Sequence, residues 1–453
     1  MRDRFSSNAL SRMGRRGFLK TLAGLGVSAS TASALTQSAV AEAVDNPRRE
    51  VPRIRAFRHT NHEAVVEEGA KPEREPDVYT IPRSMWARVE AVHDARRRVE
   101  KHLGGEYPVW VTDDNNGEKM IVVEQPDDGN LRAAEVRALD NQVPSSVKGV
   151  AGRRSRFGRR SRFAQEREIP VDIERPRSNR STQKDSRSHY STAASSNSIG
   201  DDMHYHNDYA SVPAGTGLIS IVESNKAGLN LCQGTTGFPV VDNNGSNQML
   251  TAGHLFYNTE KVDGTTVTYE GKIGCIGPRN IEINDEDETI EVNETSFVKD
   301  RLEIAGSNKP FDPLDGATMN AYGVEDVVYD FARNSGGTMN WSIWGGVSSD
   351  RLSDLQDRGP GKYGTIYQQG SATGRSECSI KYAADNSFKT DLMHGSDVKE
   401  GDSGGPIAEV RSEPWYGSKY AYGAGVVAGA EDENLPIHAS AVPVLEKELR
   451  VTI

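Results

Sequence analysis

From residue 201 onward, apolar positions fall in short Val/Ile/Leu/Tyr/Thr runs broken by Gly, Asn and Pro. Such runs are Gly217–Val222, Gly237–Val241, Thr265–Tyr269, Ile281–Ile283 and Tyr420–Val427. Many short strands with turn signals between them predict an all-β sandwich or barrel. No long helical stripe interrupts them until Val444 to Arg450. Residues 42–150 have a different texture and predict a small α+β unit. There Ser84 is placed to cap a helix with Met85, Val89, Val92, Val99 and Leu103 on one stripe, stopped by Gly104-Gly105. Val109–Val111, the turn Asp114–Gly117 and Met120–Val123 predict a hairpin, and a second helix is expected over Leu131 to Leu139.

Charge separates the same two regions. Residues 201–453 hold 38 acidic and 19 basic side chains, whereas residues 1–200 hold 27 and 35. The acidic half suits a protein that stays hydrated in concentrated salt, or simply one with an acidic surface, and it offers nothing to nucleic acid. Between the two, residues 151–200 are poor in apolar side chains and carry Arg153-Arg154-Ser155-Arg156 and Arg159-Arg160-Ser161-Arg162. Such a stretch is expected to be a disordered linker, a place for proteolytic processing or for contact with an acidic partner, the chain's own acidic half included. At the start, Arg15-Arg16-Gly17-Phe18-Leu19-Lys20 is a twin-arginine pattern, followed by a weakly apolar run and by Ala39-Val40-Ala41. Residues 1–41 therefore predict a signal for export by the twin-arginine route, too poor in large apolar residues to stay as a membrane anchor.

The chemistry concentrates in Gly401-Asp402-Ser403-Gly404-Gly405-Pro406 and Thr251-Ala252-Gly253-His254. A serine between glycines has an unshielded hydroxyl, and the glycines let backbone N–H groups converge on whatever it attacks. That hydroxyl is a poor nucleophile until an imidazole accepts its proton. Together the two motifs, in the order His then Ser, resemble those of the chymotrypsin-like (trypsin-fold) serine proteases. Cys232 to Val240 leading into the TAGH motif, and Gln369-Gly370-Ser371-Ala372-Thr373-Gly374, are similar in texture to the streptogrisin-like bacterial branch. The likeness covers roughly residues 212–450 and does not reach residues 42–200.

The resemblance implies a two-barrel catalytic domain over residues 201–453 that ends in a helix, with residues 42–150 as a pro-region acting as folding aid and inhibitor. It implies Ser403 as nucleophile, His254 as general base, and the N–H groups of Gly401 and Ser403 as the oxyanion hole. Asp402 is expected to be buried, paired and structural. The orienting aspartate is expected between His and Ser, with a small residue two positions after it. Asp330-Phe331-Ala332 fits and is the first choice; Asp300 is the runner-up; Asp312, Asp315 and Asp326 are read as surface charges. The acidic run Asp285 to Glu288 reads as an insertion.

Val427, Ala428 and Gly429 fall where the family pairs with substrate backbone, Ala428 replacing a serine that usually supports the aspartate. Asp397, six residues before Ser403, is where trypsin-type enzymes select Lys or Arg, or else decorates an acidic loop. Export favours one disulfide among Cys232, Cys275 and Cys378, with Cys232–Cys275 the expected pair. The mechanism needs no cofactor. His204 and His206 with their neighbouring aspartates, and the acidic stretch 282–291, lack convincing metal spacing. The expected partners are protein or peptide substrates. The rival classes are a catalytically silent binding or adhesion protein on the same fold, and a protease restricted to itself or one partner.

Overall fold

The computed structural model describes residues 50–151, 165–174, 190–191 and 212–453, apart from 69, 106, 115–117, 126–138, 225–227, 263–264, 277–280, 285–288, 293–296, 299–300, 307–313, 321–323, 332–337, 359–364, 372, 393–400, 413–418 and 431–436. The predicted signal, His204, His206, Asp300, Asp312 and Asp397 lie outside the described residues, as do most of the Arg-rich stretch and of the expected Leu131–Leu139 helix.

The N-terminal unit comprises β1 (Glu50–His59), α1 (His62–Glu68), β2 (Arg74–Pro82), α2 (Arg83–His102), β3 (Val109–Asp113), β4 (Lys119–Glu124), β5 (Ser146–Ala151) and β6 (Gln165–Glu174). Val89, Val92, Val99 and Leu103 are buried as their spacing predicts, and Gly104 and Gly105 end the helix at φ 67° and 78°. Met85 departs from the stripe and is 41 % exposed, and α2 has Pro82 rather than Ser84 at its N-cap. β3 and β4 form the expected antiparallel hairpin. One strand was not foreseen. β6 falls inside the stretch read as disordered linker, where Gln165–Glu174 pairs with both β4 and β5 and buries Ile169 and Val171 in the unit's core. Its alternation of Ile and Val with charged residues suits a half-buried strand better than a coil.

After β7 (Tyr190–Ser191) and β8 (Val212–Ala214), the first half of the C-terminal region opens with β9 (Gly217–Ser224), β10 (Gly228–Thr235), β11 (Pro239–Asp242) and β12 (Asn247–Thr251). It continues through β13 (Tyr257–Val262), β14 (Thr265–Ile276), β15 (Ile281–Asn284), β16 (Thr289–Val292), β17 (Phe297–Val298), β18 (Arg301–Gly306) and β19 (Asp315–Asn320). One sheet runs β13-β14-β9-β10-β7, with β17 also on β14; a second runs β18-β19-β12-β11-β28, where β28 is Val451–Thr452. They share a core in which Leu218, Val222, Cys232 and Val267 of the first meet Met249, Ala317 and Met319 of the second.

The second half holds β20 (Val324–Phe331), β21 (Thr338–Val347), α3 (Ser349–Arg358), β22 (Thr365–Gly370), β23 (Gly374–Ala383), β24 (Ser387–Leu392), β25 (Pro406–Ser412), β26 (Lys419–Ala430), β27 (Ile437–Ala441) and α4 (Val442–Leu449). Six of these strands close a ring. β26 pairs β25, β25 pairs β22, β22 pairs β23, β23 pairs β24, β24 pairs β27, and β27 returns to β26, each pair antiparallel. The molecule is thus all-β, a closed barrel beside a half-barrel with a C-terminal helix, as the sequence predicts. The helix α3 was missed because its Leu352 and Leu355 are the only large apolar residues in SDRLSDLQDR, too few for a stripe. Leu445 and Leu449 of α4 join Phe238, Leu250, Val328, Trp341 and Val426 in a core between the halves.

The N-terminal unit continues the sheet of the second half. β1 lies antiparallel to β21 through Ala56, Phe57 and Arg58 opposite Val347, Gly346 and Gly345, and β3 meets β23 at Val111 opposite Ala383. The approach at Gly345 is so close that a Cβ there would stand 1.9 Å from the Phe57 carbonyl oxygen, which only glycine allows. Ion pairs follow the charge asymmetry. Arg53 reaches Asp350 (2.9 Å) and Asp354 (3.8 Å) of α3, Arg74 reaches Glu446 (2.7 Å) and Arg96 reaches Asp385 (2.6 Å). In the other direction, Lys389 meets Glu124 and Arg411 meets Asp77. Arg53 also lies 3.6 Å over the Trp86 ring, so its guanidinium is buried by stacking as well as by pairing.

Candidate active site

His254 sits in a single 3-10 turn, Gly253–Leu255, at the end of β12. The turn is anchored beneath by Leu255 and Phe256, both buried in the first-half core, leaving the imidazole partly exposed. Its Nδ1 lies 2.5 Å from Oδ2 of Asp315, while its backbone N–H donates to Oδ1 of the same carboxylate at 2.8 Å. One carboxylate therefore fixes both the ring and the turn that carries it. Asp315 is the first residue of β19, which pairs with β12 in the register Thr251 opposite Ala317, and the Asp315 N–H donates to Ser440 Oγ at 2.8 Å.

This corrects the choice of orienting aspartate. Asp330 lies near the end of β20 opposite Met339, in the sheet of the second half, and the Nδ1 position is occupied by Asp315. The missed signal is in the sequence: Asp315-Gly316-Ala317 satisfies the same small-residue pattern as Asp330-Phe331-Ala332. The glycine has its own reason, since a Cβ at Gly316 would lie 2.4 Å from Leu445. Ser440 on β27, facing Val426 of β26, supports the aspartate's backbone although Ala428 lacks the serine hydroxyl expected at its position.

Ser403 follows Gly401 at φ 98° and precedes Gly404 at φ 89°, both in the region glycine favours. The loop is locked from below. Asp402 is fully buried, with Oδ1 accepting from the Thr373 N–H (3.1 Å) and Oδ2 from the Thr373 hydroxyl (2.6 Å), so it is structural as expected. Gly404 presses on the histidine-bearing segment, for a Cβ there would fall 2.1 Å from Thr251 Oγ1 and 3.1 Å from Ala252 N. Thr235 links the two motifs. Its N–H donates to the Ser403 carbonyl (2.7 Å) and its carbonyl accepts from the Thr251 hydroxyl (2.8 Å). The Ser403 loop and the His254 turn, 149 residues apart by number, are thereby neighbours across the seam of the two halves.

Val427 exchanges backbone bonds with the same loop, Gly404 N–H to its carbonyl and its N–H to Gly405. Beyond it, Ala428 and Gly429 are half-buried, and a Cβ at Gly429 would meet only open space. The cysteines do not form the expected bridge. Cys232 and Cys378 are buried, and Cys232 and Cys275 lie on strands flanking β9, opposite Ser220 and Ile219. Two inter-strand spacings, about 9.6 Å, exceed the reach of a disulfide. Burial pushes the Cys378 thiol up to about 12. Among the described residues, no cluster of His, Cys, Asp and Glu is arranged to hold a metal, and no helix is long and apolar enough to cross a membrane.

No family model and no curated protein matches this sequence. Among solved structures, the chain is similar to the Nocardiopsis protease NAPase, at 13 % identity and a TM-score of 0.29, over 53 % of this chain and 98 % of that one.

Proposed function

We propose that the chain is a serine endopeptidase made as an exported precursor. The observation that carries the reading is the Asp315 carboxylate on His254 Nδ1, in a turn held against the Ser403 loop. A carboxylate at Nδ1 keeps the proton there, so Nε2 is the basic nitrogen and is available to take the Ser403 proton. In this mechanism Ser403 Oγ attacks the peptide carbonyl, and His254 accepts its proton and returns it to the leaving amine. Asp315 holds the ring and stabilises the imidazolium. The N–H groups of Gly401 and Ser403 receive the oxyanion, and the Val427–Gly429 segment of β26 pairs with substrate backbone. Asp397 is proposed to select basic side chains, and the twin-arginine segment to direct export.

The N-terminal unit is proposed as the folding partner of the second barrel, since strands and ion pairs already join them. The aspartate on the histidine also argues for an enzyme over a silent binding protein, which has no need of one. The test is labelling with a fluorophosphonate probe, which reacts only with an activated serine. Wild type should label and Ser403→Ala should not; a folded wild type that stays unlabelled would refute the reading.

A further inference from the structure

Thr235 belongs to the first half of the catalytic region, yet it holds the carbonyls of both residues proposed as oxyanion donors. Its N–H donates to the Ser403 carbonyl at 2.7 Å and its hydroxyl to the Gly401 carbonyl at 2.6 Å. The side chain is fully buried, and so is Ser371, whose N–H donates to Thr235 Oγ1 at 2.9 Å. Thr235 Oγ1 thus accepts one bond and donates its single proton, the shorter choice being the Gly401 carbonyl (2.6 Å) over Ser371 Oγ (2.9 Å). The Ser371 hydroxyl is left for the Gly234 carbonyl (3.2 Å) or a second bond to Gly401 (3.0 Å).

Resting on the peptidase reading, we infer that Thr235 is a positioning residue for the oxyanion hole, acting from the opposite half of the molecule. A glycine at φ 98° has little steric preference of its own, so the peptide on its carbonyl side is free to rotate unless something holds it. The Thr235 hydroxyl supplies that hold from a fully buried side chain. The two bonds fix the 401–402 and 403–404 peptides, so the peptide between them, which carries the Ser403 N–H, and the Cα from which the Gly401 N–H projects are set before substrate arrives. Preorganised donors of this kind act on the charge that develops in the transition state and little on the ground state. The same residue's carbonyl receives the Thr251 hydroxyl, so oxyanion donors and general base share one rigid reference.

The experiment compares Thr235→Val, which keeps shape and removes the hydroxyl, with Thr235→Ser, which restores it. Peptide-amide turnover, the affinity of a peptide boronic acid and the affinity of the matching product peptide are measured on each. Thr235→Val should lower kcat on the order of tenfold, the cost of one buried hydrogen bond lost from the Gly401 carbonyl, while KM stays within about twofold. Boronate affinity should fall with kcat, product-peptide affinity should not, and Thr235→Ser should recover both. Should the valine variant not fold, Thr235→Cys, a weaker donor of similar size, takes its place in the same comparison. An unchanged kcat, or boronate and product-peptide affinities falling together, would overturn the inference. A wild type inert to the fluorophosphonate would overturn the peptidase reading and this inference with it, whereas a reactive wild type with an indifferent variant overturns this one alone.

Discussion

Replacing Asp315 by asparagine is the sharpest test of the triad, because the structure fixes how the amide must sit. Both carboxylate oxygens accept hydrogen bonds, one from His254 Nδ1 at 2.5 Å and one from the His254 backbone N–H at 2.8 Å. An amide has one acceptor and one donor end, and the backbone N–H cannot change sign. The amide oxygen must therefore face the backbone, and its NH₂ must face Nδ1. That makes Nδ1 an acceptor and moves the ring proton to Nε2, the nitrogen required as base. The variant folds with its hydrogen bonds satisfied and carries the wrong tautomer. Loss of the base in this way lowers kcat by about 10⁴-fold, or about 5.4 kcal/mol at 1.36 kcal/mol per decade. Turnover of a chromogenic peptide and the rate of fluorophosphonate labelling would report it, with Asp330→Asn made in parallel. If Asp315→Asn keeps its rate within tenfold of wild type while Asp330→Asn loses it, the assignment made here is wrong.

Two further predictions concern the N-terminal unit. Arg53→Met should destabilise the protein by about 3 kcal/mol in urea denaturation, because it strands Asp354 and Asp350 next to a buried face. An unmoved midpoint would mean the pair contributes nothing. Acid should loosen the same junction. His59 is buried against Ile453, and burial holds its pKa at about 4, below the ordinary 6.5. The unfolded chain therefore takes up this proton first, so the contribution is full above about pH 6.5 and is lost as pH falls toward about 4. His59 alone accounts for roughly 2 kcal/mol between pH 7 and 5. The drop in stability over that window should largely vanish in His59→Gln, and a wild-type slope in the variant would count against it.

His254 and Ser403 stand out in the sequence because each sits in a turn whose glycines and neighbours are written locally. The strands are legible because alternation and turn residues are local too. Asp315 was hidden for the opposite reason. Its place beside His254 comes from β19 lying beside β12, a pairing that spans more than sixty positions, and two aspartates carried the same short-range pattern. Cys232 and Cys275 failed likewise, since only the insertion of β9 between their strands sets their distance. The buried Arg96 and Arg53 were indistinguishable from surface arginines until their acidic partners, hundreds of positions away, were placed beside them.

β21 is bordered along one edge by β26, and its other edge is shared. β20 covers Thr338 to Ser342 and β1 covers Gly345 to Val347. The N-terminal unit is thus an edge cover as well as a neighbour. Were it removed, the backbone donors and acceptors of Gly345 to Val347 would be bare, beside glycines that offer no side chain to obstruct an incoming strand. An uncovered strand edge of this kind is a template for pairing with another chain. Separation of the two parts therefore bears on the solubility of the part that carries His254 and Ser403, quite apart from any chemistry there.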